Sequence, residues 1–296
     1  MFKKCTMIES SEGNVWKYIF ESENVIAESV LYKYNSFEER TVICCSVQSG
    51  CPVGCLFCGT GKKFITNLTH KEIIQQVREI IKDIKSDISE CNKFQIMFMS
   101  MGEPMLNWYN VNIAIKELNR LYPNAELLLS TIGINNLYAK IGILDISERI
   151  NKVGLQFSIH EAIEQRRNKL IPYKNKMTLS EIRDFGTFWK IETNRKPFIN
   201  YCVTRENTTN ENIQRLKDLF SPDIFNMTFS VVCDSDETMK GVSFRDNDYI
   251  KSVMDKFLED GYNCRMFDPA GQDDIGGGCG QLWYVQEWLR KHKNGL

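Results

Sequence analysis

The sequence predicts an α/β fold in which parallel strands are joined by crossover helices, an open or closed barrel. Strand-sized apolar runs recur at 41–47, 93–100, 125–130, 152–158, 197–203, 226–232 and 262–267. Helical patterns lie between them at 70–87, 111–122, 178–190, 210–220 and 246–260. Strands that alternate with helices in this way pair in parallel, because each helix carries the chain back to the same end of the sheet. Thr69 and Ser180 are the expected N-caps of the 70–87 and 178–190 helices.

The rhythm breaks at both ends. Residues 14–20 and 25–34 read as an antiparallel hairpin or meander around 21–24. Residues 268–280 form a loop containing Gly271, Gly276, Gly277, Gly278 and Gly280, and 281–292 close the chain as a short helix. No internal repeat or long linker interrupts the chain. The expected organisation is therefore an N-terminal β-hairpin extension over 1–40, a barrel over 41–267 and a C-terminal flap over 268–296.

Composition sets limits on function. With 296 residues, 43% of them hydrophobic and 25% charged, the chain has ordinary globular character. It has no apolar run of about 18 residues, as a membrane span needs. Its N-terminus has lysines but no apolar core behind them, so no secretory signal is read and a cytoplasmic location is expected. The formal net charge of −1 gives no support to a nucleic-acid partner. A local basic patch from Lys62, Lys63 and Lys71 is compatible with it, as is an ordinary solvated face. Eleven cysteines in a reducing compartment point to metal ligands or catalytic thiols rather than disulfides. Cys91, Cys202, Cys233 and Cys264 sit in or beside apolar segments and read as small core hydrophobes.

The chemistry concentrates in Cys51-Pro52-Val53-Gly54-Cys55-Leu56-Phe57-Cys58, directly after a strand. Three thiolates at these spacings can converge on one face of an iron–sulfur cluster and leave one iron open. Zinc is the nearest alternative. It usually takes two short cysteine pairs, and here no second pair follows and His70, His160 and His292 are scattered.

The motif C-x3-C-x2-C, with aromatic Phe57 before the last cysteine, resembles the signature of the radical S-adenosylmethionine (SAM) superfamily. That resemblance implies a partial (β/α)6 barrel and a 4Fe–4S cluster on Cys51, Cys55 and Cys58. It also implies SAM bound at the open iron and an electron donor such as a flavodoxin or ferredoxin. SAM cleavage to a 5′-deoxyadenosyl radical then belongs to the cofactor, which the protein positions.

The resemblance narrows over residues 10–288. Matching segments are 27–30, 44–58, 66–69, Met101-Gly102-Glu103-Pro104-Met105-Leu106-Asn107, 130–133, 158–160, 170–172, 273–275 and Gly278-Cys279-Gly280-Gln281-Leu282. Together they resemble the RNA adenine C2- and C8-methyltransferases. That family implies a ribosomal or transfer RNA substrate and a two-cysteine mechanism. One SAM methylates Cys279. A radical made from a second SAM takes hydrogen from that S-methyl group, and the carbon radical adds to the adenine ring. Cys44, seven residues before Cys51, then resolves the covalent adduct. The logic is chemical: an amidine carbon is electrophilic and cannot attack SAM itself, so a covalent step through the protein divides the problem. Cys45 competes with Cys44, but strand alternation sends the two to opposite faces.

By the same resemblance Gly102 and Glu103 contact the SAM amino group, and Ser130, Ser158, Ile159 and His160 lie at strand ends around the cofactor. Glu28 stands 16 residues before Cys44, where the family interval is thirteen, and is expected as a base near the adenine. The chain departs from the family elsewhere. The family's N-terminal RNA-binding domain has no counterpart ahead of the hairpin, and 231–236 lacks the Asn and Pro expected there, with Asp234 as a stand-in. Two functions follow: an RNA adenine C-methyltransferase, or the same apparatus acting on a peptide or free nucleotide. An RNA substrate predicts a Lys/Arg cluster at the cavity mouth near Cys279, with Lys62, Lys63 and Arg167 as candidates.

Overall fold

The computed structural model describes residues 1–233, 244–268, 274–278, 280–282 and 284–293, and of residues 62, 292 and 293 the backbone alone. The chain opens with an antiparallel meander of β1 (Lys4–Glu9), β2 (Val15–Glu21) and β3 (Ile26–Tyr34). β3 pairs antiparallel with β4 (Arg40–Cys45), which begins the parallel part of the sheet. A small hairpin of β5 (Gln48–Gly50) and β6 (Phe64–Asn67) then brackets the cysteine motif.

Alternation follows as expected. The order is α1 (His70–Asp83), β7 (Lys93–Phe98), α2 (Trp108–Leu121), β8 (Glu126–Thr131), α3 (Leu137–Arg149) and β9 (Val153–Ser158). It continues with α4 (Glu164–Leu170), α5 (Leu179–Thr193), β10 (Phe198–Cys202), α6 (Asn210–Leu219), β11 (Asn226–Ser230), α7 (Asn247–Leu258), β12 (Cys264–Phe267) and α8 (Tyr284–Lys293). The main sheet has ten strands, ordered β1-β2-β3-β4-β7-β8-β9-β10-β11-β12. From β4 to β12 every pairing is parallel. Such strands are covered on both faces and read as apolar runs rather than alternations. Ile96, Phe98, Leu127, Leu129, Leu155, Phe157, Ile199, Met227 and Phe229 are accordingly buried. Tyr32 of β3 meets Phe267 of β12 edge-on at 6.2 Å, so the meander reaches across to the far end of the sheet.

The structure adds to the expected pattern. β1 was not anticipated, because Lys4–Glu9 is an edge strand with almost every residue exposed. The N-terminal hairpin is thus a three-stranded meander continuous with the barrel sheet. β12 falls on the expected 262–267 run and lies beyond the βα units that β4 and β7 to β11 begin. α3 and α4 fill intervals left without a helical pattern. Thr69 caps α1 in a capping box with Glu72. Ser180 is not the cap of α5: Thr178 accepts the Glu181 N–H and forms the capping box two residues earlier. Among the described residues no helix is long and apolar enough to cross a membrane.

Gly50 ends the short β5 strand at φ +73°, a left-handed conformation. A Cβ there would lie 2.0 Å from the Lys63 carbonyl oxygen. Gly50→Ala is expected to destabilise by more than the roughly 1–2 kcal/mol that a left-handed non-glycine residue costs. Urea unfolding reads this directly, and an unchanged midpoint would contradict the tightness of this turn.

Candidate active site

A single cavity gathers most of the sequence-predicted residues. Its wall includes Cys51, Cys55, Cys58, Cys44, Gly102, Glu103, Ser130, Ser158 and His160. Gly277, Gly278 and Gly280 line it from the C-terminal segment. Cys279 itself lies outside the described residues, as does Asp234.

The cysteine loop is held from several sides. The Cys51 N–H donates to the Lys63 carbonyl (2.8 Å), Leu56 N–H to Leu170 O (3.0 Å) and Gly59 N–H to Gly280 O (2.8 Å). Arg167 sits fully buried, donating to Met177 O at 2.7 Å and Ile132 O at 2.8 Å. It is therefore a structural strut and not part of a basic rim. Lys63 is exposed, and the Lys62 side chain lies outside the description. The described cavity lining contains neither Lys nor Arg.

Burial pushes the Cys51 and Cys55 thiols well above the ordinary range; Cys58 raises both further, and Cys51 also raises Cys55. Two thiols that resist ionisation when alone suit a cationic centre, which would supply the missing charge. Among the described residues no three Cys, His, Asp or Glu side chains converge closely enough for a single metal ion. Thiols distributed around one cavity fit a multi-iron cluster held at three corners better than a mononuclear site.

Cys44 and Cys45 part as strand alternation requires. Cys44 lines the cavity, opposite Val30 in the β3–β4 register, and Val30 lines it too. Cys45 is fully buried and absent from that wall.

Glu103 is the most heavily bonded side chain of the wall. Thr131 Oγ1 (2.5 Å) and the Met105 N–H (3.0 Å) donate to Oε1, and the Ile132 N–H donates to Oε2 at 3.0 Å. Burial raises its carboxyl to about 7, while these donors hold it down. A group poised there accepts a cation readily, since an arriving ammonium favours the charged form. Gly102 beside it has φ +99°, and a Cβ would lie 2.6 Å from the Gln48 side chain, which accepts the Glu103 N–H.

His160, two residues past the end of β9, has φ +56°, in the left-handed region that non-glycine residues seldom adopt. Its Nδ1 accepts the Cys202 N–H at 3.1 Å, which leaves the ring proton on Nε2. Burial, then the Arg167 charge, lower its pKa to about 3, so the ring stays neutral, edge-on to Phe57 at 4.8 Å. Ser130 and Ser158 share a 3.1 Å hydrogen bond.

Two expected residues are not brought to this wall. Ile159 is fully buried and lines none of it, because alternation turns it away from Ser158 and His160. Glu28 lies on the same strand face as Val30 and Tyr32 but is fully buried against Lys17, outside the lining. Sequence reading passed over Asn200, which lines the cavity and accepts Ser230 Oγ at 2.7 Å. Its signal was a lone amide inside the apolar strand Phe198–Cys202.

With this geometry in view, relatives can be compared. No family model matches the chain. A curated relative from Pseudothermotoga lettingae, named a probable dual-specificity RNA methyltransferase RlmN, is 33% identical over 219 residues. That match takes in 72% of this chain and 60% of the relative, so the chain spans less than two thirds of its length. A protein of the same name from Thermotoga maritima is 28% identical over 286 residues, 95% of this chain and 78% of that one. The chain is similar to proteins named as dual-specificity RNA methyltransferases. A radical SAM methyltransferase structure from Sphaerobacter thermophilus superposes with TM-score 0.79 at 22% identity, over 94% of this chain and 80% of the other. Streptococcus suis SuiB bound to S-adenosylmethionine shares the fold more distantly, with TM-score 0.58 at 13% identity over 78% and 50%. The expected fold class is borne out by the shared fold.

Thr131→Val removes the first donor that stabilises the Glu103 carboxylate. The Glu103 carboxyl is expected to titrate near 7 in the wild type and higher in the variant, followed by carbon-13 NMR of glutamate carboxyls. A Glu103 that titrates like an exposed glutamate in both would contradict the burial argument.

Proposed function

We propose that this chain is a radical SAM methyltransferase that methylates C2 or C8 of adenine in RNA, through S-methylated Cys279 and a covalent protein–RNA adduct. One observation carries the reading: the cluster cysteines, Cys44, Glu103 and the glycines on either side of Cys279 share one cavity. RNA as substrate is supported by the names of the relatives.

In this reading Cys51, Cys55 and Cys58 hold the 4Fe–4S cluster. When bound, the cluster supplies the electron, ultimately from a flavodoxin or ferredoxin, that cleaves SAM. The Glu103 carboxylate pairs with the SAM ammonium and Gly102 lets the chain approach it. Because Glu103 sits near 7 when free, SAM binding draws its proton off, and affinity falls as pH drops below that value. Ser130, Ser158, Asn200 and the neutral His160 supply polar contacts without adding charge. The Cys279 thiolate would attack the methyl carbon of one SAM, with S-adenosylhomocysteine as leaving group, and carry the methyl group to the base from between its flanking glycines. Cys44, fixed on its strand, releases the product.

The second reading is the same apparatus acting on a peptide or free nucleotide. The lack of Lys and Arg in the described lining favours it, since RNA affinity draws on phosphate contacts.

The two cysteine roles predict different failures. Cys279→Ala should place no methyl group in protein or substrate. Cys44→Ala should accumulate protein and RNA joined through Cys279, seen on denaturing gels and by intact mass. An active Cys279→Ala enzyme contradicts the mechanism, and an adduct with peptide in place of RNA supports the second reading.

A further inference from the structure

Glu28 lies outside the cavity wall, and its surroundings give it a different task. Its Oε2 is 2.7 Å from Lys17 Nζ, and both side chains are fully buried. From this pair two hydrogen bonds leave for the C-terminal segment. Lys17 Nζ donates to the Gly276 carbonyl at 3.0 Å, and the Tyr284 N–H donates to Glu28 Oε1 at 2.9 Å. The ammonium also lies 4.7 Å from the centroid of the Tyr284 ring. Tyr284 begins α8, so Glu28 places a carboxylate where helix amides lack intrahelical partners.

Other bonds fasten the same stretch. Tyr32 donates its hydroxyl proton to Gly277 O at 2.5 Å, Gly59 N–H reaches Gly280 O at 2.8 Å, and Thr60 Oγ1 reaches Leu282 O at 2.5 Å. Positions 276, 277, 280, 282 and 284 are thus pinned on both sides of Cys279. The anchors come from the meander strands β2 and β3 and from the end of the cysteine loop. A general base must reach the proton it takes. Glu28 is sealed from the cavity by its own partners. A buried ion pair is a poor source of net stability but can hold one arrangement against others.

We propose that Lys17 and Glu28 are a positioning pair for the methyl-carrier segment, and that Glu28 is not a base. The pair fixes both ends of the stretch that presents Cys279. This rests on the reading of Cys279 as carrier.

The test uses the full chain. Removing either partner alone leaves a buried lone charge, so the neutral pair Lys17→Met/Glu28→Gln is the first variant. It keeps an acceptor for the Tyr284 N–H but loses the bond to Gly276. Hydrogen exchange read by mass spectrometry should run roughly tenfold faster in the peptide over 274–284. It should be unchanged in β7, β8 and β9. Equal exchange over 274–284 overturns the proposal. Methyl transfer gives the second readout. Lys17→Met and Glu28→Gln should lower it alike, with the double variant no worse than either, as for one coupled unit. An inactive Glu28→Gln enzyme beside a fully active Lys17→Met enzyme restores the base and also overturns the proposal. If the wild type moves no methyl group at all, the carrier reading falls, and the exchange result still decides whether the pair anchors the segment.

Discussion

Three thiols must be held together on a loop that has no helix or strand of its own, and backbone hydrogen bonds from neighbouring segments do this. The 51–58 loop takes them from the β5–β6 hairpin at Lys63, from the end of α4 at Leu170 and, just beyond it, from the C-terminal segment at Gly280. Each supplier is itself placed by the sheet. β4 delivers the chain to the loop, the buried Arg167 braces the turn behind it, and the meander holds the C-terminal segment through Lys17 and Tyr32. The barrel is therefore a frame that lets distant pieces of chain meet at one irregular loop.

The same burial that makes the loop possible sets the chemistry of the wall. Removing water raises the thiols of Cys51 and Cys55 and the carboxyl of Glu103, and it lowers His160. Each of these groups is held toward its neutral form, so the empty wall carries little charge and its charges develop as cationic partners arrive. Glu103 is the finest balanced, because Thr131, Ile132 and Met105 donate to the charged form that burial opposes.

Much of this was legible in the sequence, for physical reasons that differ from residue to residue. The parallel strands announced themselves because burial on both faces leaves unbroken apolar runs. The cysteine spacing and the glycines around Cys279 pointed to segments that the fold brings to one cavity. Edge strand β1 was silent, since Lys4–Glu9 buries no face. α3 was blurred: Ala139, Ile143 and Ile146 are buried, while Leu137, Tyr138 and Ile141 are apolar and exposed, so no single stripe stands out. Thr178 outcompeted Ser180 because its Glu181 lies three residues on and completes the box. Arg167, Ile159 and Glu28 lie off the cavity wall, and local pattern does not say which side of a wall a residue faces. Each is buried by contacts remote in sequence, with Ile132 for Arg167 and Lys17 and Tyr284 for Glu28.

The central claim is that one cavity moves a methyl group from SAM to adenine by way of the protein. Reconstituted enzyme incubated with RNA and methyl-labelled SAM, followed by mass spectrometry of the digested nucleosides, tests it most directly. The account predicts labelled 2-methyladenosine or 8-methyladenosine, formed only with cluster and reductant present. Label found in no nucleoside, or on an adenine nitrogen or a ribose oxygen in place of a ring carbon, would contradict it.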